Sequence, residues 1–140
     1  MFLAKVFTVA KHVGFDDELF YQRTTREGSA TNSKLFFSEK AIQGFINAIK
    51  DLKQFANKHK INTEQSNLVN HVVAKFVILS LSPSISKFNF KDYFRVIRVL
   101  KKSGLETLEI KGLQFLYGKH IRMYNFSKVL FPVYFRFINK

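Results

Sequence analysis

Cysteine is absent from the 140 residues of the chain. Without it, neither a disulfide framework nor a metal site with thiolate ligands can form. A chain without disulfides fits a reducing compartment. We therefore predict a protein of the cytoplasm or of an organellar matrix, the mitochondrial matrix included.

Long uninterrupted apolar runs are also missing. The longest cover residues 76–81 and 129–138, and Arg136 interrupts the second. Both are far below the roughly 18 residues that cross a bilayer. The sequence therefore predicts no membrane span. The acids at 16–18 suit neither a signal peptide nor an acid-poor transit sequence at the start of the chain.

Acidic residues are scarce relative to basic ones. The chain has 10 Asp and Glu against 23 Lys and Arg, a net charge of +13. Such a charge repels itself in a compact state unless a partner offsets it. Nucleic-acid phosphates and anionic membrane surfaces are the common partners, and the choice depends on whether apolar side chains are free to enter lipid. Here we expect them to form a core, so nucleic acid is favoured.

The length and composition indicate one folded domain. The chain is 46% hydrophobic and contains 17 Phe, which is ample for a core at this length. No internal repeat or linker divides it. We therefore expect a single basic domain over residues 1–140.

The N-terminal part has the pattern of extended structure. Alternation over 5–13 predicts a strand that turns at 14–17. A second extended run covers 18–25, a polar loop 26–33, and a short third strand 34–37.

The middle of the chain predicts helices. Ser38 can cap the first, whose apolar residues from Ile42 to Phe55 recur every three or four positions. A second helix is predicted over about 64–80, ended by Ser82 and Pro83. Its β-branched residues at 72–81 leave a buried strand as the alternative.

A third helix is predicted over about 90–103. Asn89 and Asp92 have the spacing of a capping box with Asp in place of Glu. Gly104 occupies the position of a helix stop.

The C-terminal part alternates again. Residues 106–126, with breaks at Gly112 and Gly118, have the pattern of a hairpin, and 129–138 that of a strand, placed at an edge by Pro132. The predicted fold class is thus α+β in a single domain: N-terminal strands, two to three helices, then an antiparallel hairpin and an edge strand.

Positive charge is concentrated toward the C-terminus. Residues 86–140 hold twelve basic and three acidic residues, and residues 1–85 eleven and seven. Lys91, Arg95, Arg98 and Lys102 fall within an arc of ~60° on the predicted third helix. A solvated helix face is the alternative interpretation of this pattern. The residues that we expect to contact nucleic acid are Lys91, Arg95, Arg98, Lys101, Lys102, Lys111, Lys119 and Arg122, with Tyr117 and Tyr124 able to stack on bases.

We interpret the chain as a non-catalytic RNA-binding protein of a ribosome or other ribonucleoprotein. Its basic charge, its small size and the absence of a convincing catalytic motif agree with this interpretation. A DNA-binding regulator of winged-helix type is the alternative, with helix 90–103 in a groove and the hairpin tip at Gly118 as the wing. A structural partner of an acidic protein is a further hypothesis. In the phosphate-binding interpretations, neutralising Arg95 and Arg98 flattens the salt dependence of log affinity by about two units.

Catalytic signals are weak. Glu109 and Lys111 have the Glu-x-Lys form of a metal-dependent nuclease, whose second acid would be Asp92. That spacing of common residues arises readily by chance. The histidines lack metal-ligand spacing, and no Gly-rich phosphate loop is present. We therefore predict no enzyme, metal or cofactor.

Overall fold

The computed structural model describes residues 2–10 and 38–138. Within them the chain forms six α-helices and no strand, so the predicted α+β fold is wrong: this part is all-helical. The helices are α1 (Phe2–Val9), α2 (Glu39–Lys58), α3 (Thr63–Ser86), α4 (Phe90–Lys102), α5 (Phe115–Phe126) and α6 (Phe131–Ile138).

The N-terminal strand prediction fails where it can be compared. Residues 5–9 of the predicted strand 5–13 belong to α1. The Lys5 ammonium lies 2.7 Å from the Asp51 carboxylate of α2, and Thr8 donates to the Ala4 carbonyl at 2.7 Å. The other N-terminal predictions, for 14–17, 18–25, 26–33 and 34–37, lie outside the described residues.

Helix α2 confirms its prediction. The Ser38 hydroxyl accepts a hydrogen bond from the Ala41 amide at 3.3 Å, as the capping pattern requires. The apolar stripe turns inward, and its buried residues are Ile42, Ile46, Ile49, Leu52 and Ala56.

Helix α3 is longer than predicted, and the alternative strand at 72–81 is wrong. It begins at a capping box formed by Asn62 and Gln65 and continues through Pro83 to Ser86. Proline offers no N–H to the Leu79 carbonyl, but the Ser82 hydroxyl donates to that oxygen at 3.4 Å. The Leu79 carbonyl therefore keeps a donor, and the helix continues past the residue at which the sequence suggested a stop.

Helix α3 lies at the centre of the described helices. Helices α1, α2, α4, α5 and α6 all pack against it. Its buried side chains include Val77 and Leu81, which are fully enclosed in the shared core. Because neighbours surround α3, its apolar residues have no single inward face.

By length and composition alone, α3 could also cross a membrane. It has 24 residues, and its most apolar 18-residue window reaches a mean hydropathy of 1.5. In the described structure 44% of that window is buried among the other helices. A core helix of a soluble protein has the same properties.

Helix α4 confirms its prediction to within one residue. The Asn89 side chain accepts from the Asp92 amide at 3.1 Å. At the other end Gly104 adopts φ +72°, and the Leu105 N–H bonds to the Leu100 carbonyl at 2.9 Å. The positive φ is the conformation for which glycine ends helices.

The predicted hairpin at 106–126 is wrong. Residues 105–114 are irregular, and Gly118, expected at the hairpin tip, is buried inside α5. The Asn125 side chain bonds both backbone groups of Leu108, accepting at 3.0 Å and donating at 2.8 Å. It makes the two bonds that a partner strand would have made. Gly112, with φ +79°, approaches Asn67 so closely that a Cβ would lie 2.2 Å from its side chain.

The predicted edge strand at 129–138 is also wrong, because 131–138 form α6. Pro132 lies in the first turn, where a missing N–H costs no helical hydrogen bond. Phe131 faces the core and Phe137 faces solvent. The alternation of the sequence placed both on one face of a strand.

Candidate nucleic-acid interface

The outer face of α4 carries a row of exposed cations. Its inner face buries Tyr93, Val96 and Leu100 against α3 and its neighbours. This division directs the five basic side chains of the helix to solvent: Lys91, Arg95, Arg98, Lys101 and Lys102.

Two of these cations are paired with carboxylates. Arg95 lies 3.5 Å from Glu39 of α2 and 3.2 Å from Asp92, and Lys101 lies 2.9 Å from Glu106. Exposed pairs of this kind stabilise a fold by only about 0–1 kcal/mol. The paired carboxylates nevertheless offset the positive charge that Arg95 and Lys101 would present to an approaching phosphate.

The other three cations have no carboxylate partner within residues 2–10 and 38–138. We call Lys91, Arg98 and Lys102 the open stripe. At 100° per residue they fall within about 40° of arc, and at 1.5 Å per residue they extend over about 16 Å. Arg98 Nε donates to the Phe94 carbonyl at 3.4 Å, which directs its guanidinium along the helix. The open stripe is therefore a straight line of unpaired positive charge.

Partly exposed aromatic residues lie on one side of the open stripe. On the helical wheel Phe94, 38% exposed, lies about 40° from Arg98, and Phe90, 46% exposed, lies about 80° from Arg98 on the same side. Phe88 is held beneath the guanidinium of Arg136, 3.5 Å from its ring. Helical spacing places Phe90 and Phe94 on the apolar side of the predicted helix, where a core position is expected, and tyrosine was favoured for base contacts. Only their exposure in the folded structure shows that they are accessible.

The two tyrosines predicted to stack on bases belong to the scaffold. Tyr124 is fully buried, donates to the Leu105 carbonyl at 2.8 Å, and has a pKa raised by burial above its ordinary 10.0. Tyr117 is half-buried, with its ring centroid 4.8 Å from that of His71. The ring of Tyr124 is thus closed to a base.

The remaining predicted cations lie away from α4 along the chain. Lys111 is exposed in the irregular segment, and Lys119 and Arg122 are exposed on α5. Lys119 Nζ lies 4.2 Å from the centroid of Phe115. The structure therefore divides the predicted residues between two helices, α4 and α5, both packed on α3.

The acids of the nuclease hypothesis have structural partners. Glu109 accepts from the Asn70 amide at 3.0 Å, and Asp92 contacts Asn89 and Arg95 at the start of α4. No group of three metal-ligating side chains occurs in the part of the chain that the structure describes. The acidic cluster Asp16, Asp17 and Glu18 lies outside it.

His120 is a second buried titratable group of α5, besides Tyr124. Its ring centroid lies 5.0 Å from that of Phe135 and 5.9 Å from that of Tyr134. Its Nδ1 has no hydrogen-bond partner among the described residues, and burial lowers its pKa below the ordinary 6.5.

This lowered pKa predicts a pH-dependent stability. As pH falls below 6.5, the unfolded chain takes up a proton that folded His120 does not, so the protein loses stability. The loss is at most about 1.4 kcal/mol per pH unit from this group. Replacing His120 by Leu should make the free energy of unfolding less dependent on pH. Urea unfolding at several values between pH 7.5 and pH 5 measures this, because the range includes the pKa of free His, ~6.5. Parallel curves for the two proteins would contradict the prediction.

Neither the family models, nor the curated proteins, nor the solved structures contain a match to this chain.

Proposed function

We propose that this protein is a non-catalytic RNA-binding protein, a component of a ribosome or another ribonucleoprotein. The observation that carries the proposal is the open stripe: three exposed cations in line on a rigid, capped helix, without carboxylate partners among the described residues. Binding a phosphate backbone releases its counterions, which supplies affinity without any sequence readout. A net charge of +13 agrees with such a partner.

The aromatic residues favour RNA over duplex DNA. Phe94 lies beside the open stripe, Phe90 lies a further 40° around the helix, and both are partly exposed. Unpaired bases stack on aromatic rings, and single-stranded loops are where proteins usually read RNA. The winged-helix alternative loses its wing, because residues 115–126 are helical.

We further propose that α3 is a core helix rather than a membrane span. Five helices pack against it, and its central side chains are enclosed. The location that we propose is a reducing compartment, the cytoplasm or an organellar matrix, as the absence of cysteine suggests.

The experiment that tests the function is purification at low salt followed by sequencing of the nucleic acid that copurifies. We expect RNA. Nucleic-acid-free protein is then titrated with a single-stranded RNA and with duplex DNA of matched sequence. Tighter binding of the RNA, with log affinity falling linearly with log salt, supports the proposal.

Three outcomes contradict it. A preference for the duplex DNA indicates a DNA-binding regulator. Absence of any salt-sensitive nucleic-acid binding indicates a structural partner of an acidic protein. Mg²⁺-dependent cleavage of RNA or DNA that disappears in Glu109→Ala indicates a nuclease.

A further inference from the structure

A second exposed surface lies on α5 and α6 and is apolar. We call it the α5–α6 surface. Three of its phenylalanine side chains are highly exposed to solvent: Phe115 is 78% exposed, Phe126 79% and Phe137 72%. Aliphatic residues of the connecting turn and of α6 continue it, namely Val129, Leu130 and Val133. Exposed apolar residues in such number mark an interaction site.

The same surface also carries basic side chains. Phe115, Lys119, Arg122 and Phe126 fall within about 60° of arc on α5. An open groove of about 300 Å³ lies between α5 and α6. Its α5 side is formed by Lys119, Arg122 and Phe126, and its α6 side by Tyr134. Residues 110–138 contain five basic residues and no acid. Lys119 and Arg122 have no carboxylate partner among the described residues, so the surface combines apolar side chains with unpaired cations.

An anionic lipid bilayer has the chemistry that complements this combination. Its headgroups neutralise lysine and arginine, and the adjoining acyl region accepts phenyl and aliphatic side chains to a depth of about 5–10 Å. Long cationic side chains can lie along the apolar surface while their charges reach the headgroups. RNA fits less well, because valine and leucine cannot stack on bases.

We propose that the α5–α6 surface docks the folded protein on an anionic membrane surface, as a peripheral contact that does not cross the bilayer. The sequence had disfavoured a membrane partner because its apolar residues were expected to be in the core. Phe115, Phe126 and Phe137 contradict that premise. The docking site does not use the open stripe, on which the proposed function rests. It does use Lys119 and Arg122, which the sequence predicted to contact nucleic acid.

The test is cosedimentation of the full-length, nucleic-acid-free protein with vesicles. We expect binding to vesicles of phosphatidylcholine mixed with phosphatidylserine, little binding to phosphatidylcholine alone, and release by high salt. Lys119→Gln with Arg122→Gln should weaken binding roughly thirtyfold, since each cation near an anionic surface contributes about one factor of five. Phe126→Ser with Phe137→Ser should weaken it at least roughly tenfold.

The controls show whether a loss of vesicle binding comes from the α5–α6 surface, from the open stripe or from misfolding of the variant. Phe90→Ser, a partly exposed phenylalanine of α4, should leave vesicle binding unchanged. The Phe126→Ser and Phe137→Ser variant keeps every cation and should bind RNA within about twofold of the parent. Helical circular dichroism verifies that each variant is folded, and Phe137→Ser alone replaces the double variant if the latter is not.

Several results would overturn the proposal. They are no binding to either vesicle, equal binding to both, or equal losses for Phe90→Ser and the α5–α6 variants. Resistance to both high salt and an alkaline wash would indicate that α3 crosses the membrane instead. RNA binding measured in parallel keeps failure of this proposal distinct from failure of the proposed function.

Discussion

Replacing Lys91, Arg98 and Lys102 together by glutamine should weaken RNA binding roughly a hundredfold at about 50 mM salt and flatten the slope of log affinity against log salt by about two units. All three side chains are exposed and lack a carboxylate partner within residues 2–10 and 38–138, so each is free to displace a counterion. Fluorescence titration with one single-stranded RNA at several salt concentrations measures both quantities.

The matched control neutralises the paired cations. Arg95→Gln with Lys101→Gln removes two charges from the same helix, but Glu39, Asp92 and Glu106 already offset them. The slope should change by less than about one unit. Equal losses for paired and unpaired cations would mean that the open stripe is not the contact surface. This comparison replaces the test on Arg95 and Arg98 that the sequence suggested, because Arg95 is paired.

Replacing Phe131 by alanine should lower the free energy of unfolding by about 3–5 kcal/mol, the usual cost of deleting a buried phenyl ring. Phe131 is fully buried, and its ring centroid lies 5.7 Å from that of Tyr124 and 5.6 Å from that of Phe135. Urea unfolding followed by circular dichroism gives the value.

Phe137→Ala is the control for the same substitution in the same helix. Phe137 is exposed, so its truncation should change stability by less than about 0.5 kcal/mol. The pair also tests the fold. In the strand that the alternation predicted, both residues share one face and their truncations should cost similar amounts. Similar losses would therefore contradict α6.

Helices with local signals at both ends were predictable. Ser38 and Asn89 cap α2 and α4 through side-chain bonds to amides only three residues away. Gly104 ends α4 through its own backbone conformation. One-sided apolar stripes separate inner from outer faces in both helices. These features need no information from the rest of the chain.

The segment that follows α4 was not predictable in this way. Residues 129–138 are apolar at nearly every position, so a period of two and a period of 3.6 describe them equally well. Aromatic and β-branched residues then favoured strands by propensity. Packing of α5 and α6 against α3 overrode that propensity. The Asn125 bonds to Leu108, seventeen residues away, likewise depend on the assembled fold.

For the candidate site, the sequence by itself determined where the cations lie on α4, because helical spacing alone sets their common face. Only the tertiary structure decided which of them are open. Glu39 reaches Arg95 from another helix, and burial removes Tyr124 while leaving Phe115 and Phe126 in solvent. Spacing along one helix is local, whereas charge pairing and burial depend on which distant segments fold against it.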